Sequence, residues 1–108
     1  MPNDQERARG VYAISVVARM VSMKIQSLRA YERQGLLSPS RTAGGTRVYS
    51  NEDVDRLHRI RQLLGEGLNL AGIKKVLDLE SEVERLRAQV ARRRQSRHPG
   101  EGASGSTD

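Results

Sequence analysis

Between Lys24 and Arg33 the sequence KIQSLRAYER collects Lys24, Gln26, Ser27, Arg29 and Arg33, side chains that donate hydrogen bonds. Their chemistry is recognition. A Gln amide pairs bidentately with the edge of an adenine and a Lys with a guanine, while Arg guanidinium groups suit phosphate oxygens. Cysteine is absent and His58 and His98 stand alone, which excludes thiolate metal sites, disulfides and a histidine ligand set, so no cofactor is expected. Lys24, Gln26 and Ser27 are therefore the candidates for base edges. Arg29 and Arg33, further along the same stretch, are candidates for the backbone of the same duplex.

Such residues need a rigid element. A helix from near Lys24 to Gly35 places Ile25, Leu28 and Glu32 along one side and the donors around the rest, so it is held by few apolar contacts and offers many polar ones. Gly35 fits a left-handed C-cap. The preceding ISVVARMVSM reads as a short helix capped by Ser15 that buries Val17, Met20 and Val21, with three or four residues left for a turn. Two short helices and a tight turn suggest a helix-turn-helix whose second helix enters a major groove, with Ser15 also a backbone-contact candidate. Val11 to Ile14 is an extended apolar entry in which Tyr12 packs.

Beyond Leu36-Leu37-Ser38-Pro39, which stops the helix, SRTAGGTRVYS reads as a hairpin. Arg41 and Thr42 lie on the outgoing strand, Ala43-Gly44-Gly45 at the turn, and Thr46 to Tyr49 alternate on the return. Arg47 and Tyr49 then share a face, opposite Thr46 and Val48. Such a hairpin beside a helix-turn-helix is a wing, which makes Arg41, Thr42, Arg47 and Tyr49 further backbone candidates. A solvated Arg47 and a core Tyr49 are the structural alternatives.

Ser50-Asn51-Glu52-Asp53 is a capping box with Asp in place of Glu, opening a core helix to about Leu64 with Val54, Leu57, Ile60 (or Arg61), Leu63 and Leu64 at helical spacing. Gly65 and Gly67 end it. Asn69 caps a short helix with Leu70, Ile73, Val76 and Leu77 inward, and a second box at Ser81 and Glu84 predicts a separate last helix. From Val76 the apolar positions Leu79, Val83, Leu86 and Val90 step by heptad spacing for about two heptads, flanked by Glu82, Glu84, Arg85 and Arg87. A seam that short needs another surface, either a second copy or the chain's own domain. Dimerisation through Leu79, Val83, Leu86 and Val90 is the favoured reading.

The 108 residues allow one small domain, with 36% hydrophobic residues, three Tyr and no Phe or Trp. An enzyme pocket is not expected at this size. Residues 1–10 and 96–108 are expected to be disordered tails around a DNA-binding domain at 11–79 and a dimerisation helix at 80–95. Net charge is +6. Residues 15–49 carry six Lys/Arg against the single acid Glu32, a local +5, so the positive field sits on the reading unit. With no apolar run of spanning length and no signal-peptide pattern, a cytoplasmic, nucleoid-associated protein without a membrane partner is expected.

Leu28-Arg29-Ala30-Tyr31-Glu32-Arg33-Gln34-Gly35-Leu36-Leu37-Ser38-Pro39, followed by Arg41, Gly45-Thr46-Arg47-Val48-Tyr49, Asp53-Val54-Asp55-Arg56-Leu57 and the Gly67-Leu68-Asn69-Leu70 stretch, resembles the DNA-binding domain of MerR-type transcription regulators over residues 11–80. Val11 to Val16, Ser38 to Thr42 and Glu66 to Lys74 are similar to the heat-shock repressor subgroup, HspR. Four positions depart from the pattern: Ser22 for a turn glycine, Ile25 for a subgroup proline, Val48 for a subgroup arginine, and Ala30 for the first of two tyrosines, so that the resemblance implies a DNA-backbone contact for Tyr31 alone of that pair. The resemblance implies a mostly α fold, a winged helix-turn-helix with a small β-hairpin wing and a C-terminal coiled-coil dimerisation helix. It also implies a homodimer on double-stranded DNA, repression of chaperone genes at an inverted repeat, and a DnaK-type chaperone as co-repressor. RNA polymerase is a further possible partner. A MerR-type regulator of another regulon, or a basic protein-interaction module, is the alternative.

Overall fold

The computed structural model describes residues 4–96. In chain order they form α1 (Asp4–Ala8), α2 (Ile14–Val21), α3 (Ile25–Arg33), β1 (Ser40–Arg41), β2 (Arg47–Val48), α4 (Asn51–Gly65) and α5 (Leu70–Ser96). They divide into two units, one up to Lys74 and one from Lys75.

In the first unit, three helices end in the same way. After α3, Gly35 takes φ +78°, its N–H donates to Glu32 O and the Leu36 N–H to Tyr31 O, the paired bonds of a Schellman motif. The expected C-cap at Gly35 is this motif, and it turns Leu36 and Leu37 into the core. The end of α4 repeats it at Gly67 (φ +93°), and α2 repeats it at Ser22 (φ 55°, ψ 46°), whose neighbour Met23 donates to Ala18 O. Serine carries a Cβ into a conformation that costs an L-residue roughly 1–2 kcal/mol. Ser22→Gly should therefore raise stability by about 0.5–1 kcal/mol, a Tm increase of a few degrees on thermal unfolding. An unchanged or lower Tm would show that the serine is not strained there.

The start of α2 differs from expectation. Its N-cap is Ala13, with no side-chain cap bond, and Ser15 lies inside the first turn, exposed. Met20 is half-exposed while Val17, Ala18 and Val21 are buried, so Ala18 takes the inward place that the sequence suggests for Met20. By contrast, the box opening α4 is complete: Asp53 N–H donates to Ser50 Oγ at 3.0 Å and Ser50 N–H to Asp53 Oδ2 at 2.8 Å. From α4, Val54, Leu57, Ile60 and Leu63 enter the core with Val17, Val21, Leu28, Tyr31, Leu36, Leu37 and Tyr49. Leu64 is half-exposed. Arg61, which shares the spacing of Ile60, points elsewhere: its Nη1 donates to Val21 O at 2.7 Å, and Arg56 Nε donates to Leu36 O at 2.6 Å. These bonds satisfy carbonyls where α2 ends and where the chain leaves α3.

The wing is a two-stranded antiparallel hairpin with Ser40 opposite Val48 and Arg41 opposite Arg47. Its turn closes with Thr42 N–H donating to Thr46 O, Gly45 N–H to Thr42 O, and Gly45 at φ +88°. One step further, Tyr49 bridges Tyr12 in the entry segment, and Tyr12 Oη donates to Asn51 Oδ1 at 2.8 Å.

Within the stretch expected as a disordered N-terminal tail, Asp4–Ala8 is helical and packs on α4, where Arg7 pairs with Asp55. A Cβ added to Gly10 would lie 2.7 Å from Val48 Cγ2 and 3.0 Å from Val48 O, so the backbone approaches the wing at a place only glycine fits. The expected tail at 96–108 lies, past Ser96, outside the described residues.

α5 opens with Asn69 Oδ1 accepting from Gly72 N–H at 2.8 Å, the expected cap. It then runs unbroken to Ser96, so the separate short helix and the break at Ser81 do not occur. No Gly or Pro falls between Gly72 and Ser96, and an exposed serine inside a helix costs only a few tenths of a kcal/mol, so nothing ends the helix. In the second unit Glu82 and Arg85 pair along the helix (Nη2 to Oε2, 2.5 Å), and this bond holds the exposed Glu82 carboxyl below its ordinary pKa. These two charges are partners of each other rather than free flanks of the seam.

Candidate nucleic-acid interface

α3 presents two opposite faces because of its apolar spacing. Leu28 and Tyr31, three apart, are buried, and on the other side Gln26, Arg29 and Arg33, at i, i+3 and i+7, are exposed. Lys24 is the exposed N-cap, and Gln26 lies one turn or less from the helix start. Five of the six candidates on this stretch are thereby placed on or beside the solvent: Lys24, Gln26, Arg29 and Arg33 exposed, and Ser27 half-buried on the flank, off the Gln26 stripe.

Tyr31 is the exception. It is 8% exposed and belongs to the core, so the backbone contact expected of it has almost no surface to act through. Its position follows from helical geometry, since Leu28 and Tyr31 share the inward face that the sequence reading gave to Ile25, Leu28 and Glu32. Tyr49, also expected at the backbone, is 0% exposed and is corrected to a core residue. Its hydroxyl has no hydrogen-bond partner among the described residues, and burial, aided by the Glu32 charge, pushes its pKa above the ordinary tyrosine value. A buried hydroxyl left unpaired costs about 1–3 kcal/mol. Tyr49→Phe should accordingly leave the unfolding midpoint in denaturant unchanged or higher and DNA affinity unchanged. A loss of affinity would restore the backbone role.

On the wing, Arg41 and Thr42 are exposed and Arg47 is half-buried. Thr42 Oγ1 accepts from Thr46 N–H at 3.2 Å, and Arg41 Nη1 donates to Gly45 O at 2.9 Å, so both brace the turn. Both wing arginines also meet α3. Arg47 Nε donates to Glu32 Oε1 at 2.5 Å, and Arg41 Nη2 lies 3.5 Å from Glu32 Oε2. Arg47, a backbone candidate with a solvated charge as its alternative, is thus paired within the fold. The signal was present in the chain: Glu32 is the single acid among six basic residues. Arg56 and Arg61 were missed as brackets of the helix ends, because the carbonyls they reach lie 20 and 40 residues away in the chain.

In the second unit Leu79, Val83, Leu86 and Val90 form a stripe along α5, 64%, 43%, 45% and 46% exposed. Shallow grooves run along it between Val76 and Arg94.

A helix-turn-helix whose second helix turns Gln26, Arg29 and Arg33 outward, flanked by a hairpin tied to that helix, defines a winged helix-turn-helix DNA-binding protein. The chain belongs to the MerR family: the model described as MerR HTH family regulatory protein matches residues 12–80. It is 49% identical over 82 residues to a putative heat shock protein HspR of Streptomyces coelicolor, an alignment covering 75% of this chain and 54% of that one. It is 37% identical over 87 residues to the HTH-type transcriptional regulator GlnR of Bacillus anthracis, covering 80% of this chain and 67% of the relative. The chain thus spans about half the length of the Streptomyces relative. Among solved structures, the N-terminal part of MtaN, a multidrug transporter activator of Bacillus subtilis, superposes with a TM-score of 0.61 at 30% identity, covering 80% of this chain and 91% of that one. The family match spans the helix-turn-helix, the wing and the first turns of α5. No helix among the described residues is long and apolar enough to cross a membrane.

Proposed function

We propose that the protein is a homodimeric repressor of heat-shock and chaperone genes acting at an inverted-repeat operator. The observation that carries this reading is the 49% identity over 82 residues to the putative heat shock protein HspR of Streptomyces coelicolor. Two copies joined along α5 by Leu79, Val83, Leu86 and Val90 present two reading helices related by a two-fold axis, which matches an inverted repeat. In each copy Lys24, Gln26 and Ser27 meet base edges, and Ser15, Arg29, Arg33, Arg41, Thr42 and Arg47 meet the backbone. A DnaK-type chaperone is the co-repressor that the resemblance to the heat-shock repressor subgroup implies.

Genome-wide footprinting in the source cells before and after heat shock tests the reading. Occupied sites at chaperone promoters that empty on heating are expected. Sites confined to other promoters would favour regulation of another regulon, in which contact with RNA polymerase enters as activation, and the 37% identity to GlnR is the observation on that side. No preferred sequence in the presence of competitor DNA would leave a basic protein-interaction module.

A further inference from the structure

We propose that Glu32 is a positioning residue for DNA reading, whose carboxylate locks the wing to the recognition helix and so sets where the wing arginines stand relative to the base-reading face. The inference rests on the DNA-binding reading above and adds to it the residue that couples its two parts.

The geometry is specific. Glu32 leaves the flank of α3, its side chain 20% exposed, and divides its oxygens: Oε1 accepts from Arg47 Nε at 2.5 Å and Oε2 lies 3.5 Å from Arg41 Nη2. Arg41 and Arg47 are direct partners across the hairpin ladder. Like charges so placed repel, and strands of two residues are too short to hold a hairpin in one position unaided. A carboxylate between the two guanidinium groups removes the repulsion and ties both strands to α3. Each guanidinium carries five N–H donors, so one bond to Glu32 leaves donors for a phosphate. The wing is thus held in place by the same side chains that meet the duplex.

A plain electrostatic reading makes the opposite forecast. An acid in a surface that approaches phosphates repels them, and its removal should raise affinity for every duplex alike. The two readings differ in sign, which makes the test decisive. Wild type first selects a duplex from a random-sequence library, and affinity is then measured for that duplex and for a scrambled one at two salt concentrations. For Glu32→Gln, affinity for the selected duplex should fall about tenfold, the loss of roughly one well-placed contact, while affinity for the scrambled duplex holds or rises. Glu32→Asp keeps the charge but is one methylene shorter and cannot reach both arginines. It should lose preference in the same direction with an unchanged salt slope. An equal rise on both duplexes for Glu32→Gln, or a wild-type preference in a folded Glu32→Asp, overturns the proposal. If wild type selects no sequence at all, the DNA-reading function fails instead, a result distinct from a selecting wild type whose two variants keep its preference.

Discussion

Leu86→Asp is expected to convert a dimer into a monomer at micromolar concentration and to weaken operator binding more than any other single change considered. Leu86 sits in the middle of the Leu79, Val83, Leu86 and Val90 stripe, and all four side chains keep about half or more of their surface in water within one chain. Burying an apolar side chain of this size is worth roughly 1.5–3 kcal/mol in full, so half-burial of four residues from each of two copies gains about 6–12 kcal/mol. Association costs an estimated 4–15 kcal/mol, so the dimer has little surplus. The substitution removes two leucines by symmetry and places two carboxylates, each costing several kcal/mol unpaired, in the seam. The dimer dissociation constant should rise at least about a thousandfold, which is about 4 kcal/mol. The monomer then holds one half-site and loses the effective concentration that the second provides. Sedimentation of both forms decides the matter: wild type and variant both monomeric at micromolar concentration would eliminate the α5 dimer. The variant should melt like wild type in its reading unit, because Leu86 belongs to the other unit.

The second large effect separates reading from holding on one helix. Gln26 and Arg29 share the exposed stripe of α3, with Gln26 nearer the N-terminus, where side chains of a docked recognition helix reach base edges. Gln26→Ala should cost about 1–3 kcal/mol on the operator and little on scrambled DNA, since only the correct base pair offers the amide its two partners. Arg29→Ala should weaken both duplexes and lower the salt slope by about one unit, because a phosphate contact releases about one counterion. Titrations of both variants against the two duplexes at two salt concentrations distinguish them. Operator affinity untouched by Gln26→Ala would mean that the reading face starts elsewhere on α3 and would take the assignments of Lys24 and Ser27 with it. Ser27, half-buried on the flank, is the more exposed of those two to such a revision.

Features made by a few consecutive residues were legible in the chain itself. The Ser50 and Asp53 box, the Asn69 cap, the left-handed turn at Gly35 and the hairpin around Gly45 each need only local backbone and one side chain, so residue type and spacing determine them. The heptad stripe from Leu79 to Val90 was visible for the same reason, as a periodicity within one helix. What the sequence could not decide was the company each side chain keeps across the fold. Tyr31 was read as a backbone contact and Tyr49 as suited to backbone and core alike, and burial places both in the core. Arg47 looked like a free cation until tertiary structure set it against Glu32, fifteen residues earlier. The Gly10 approach to Val48, the Arg56 and Arg61 bonds to the helix ends, and the order of Asp4–Ala8 likewise depend on partners tens of residues away. Hydrogen bonds and burial are satisfied in space rather than along the chain, so local chemistry determined the elements and tertiary contact decided which polar residues remain free to meet DNA.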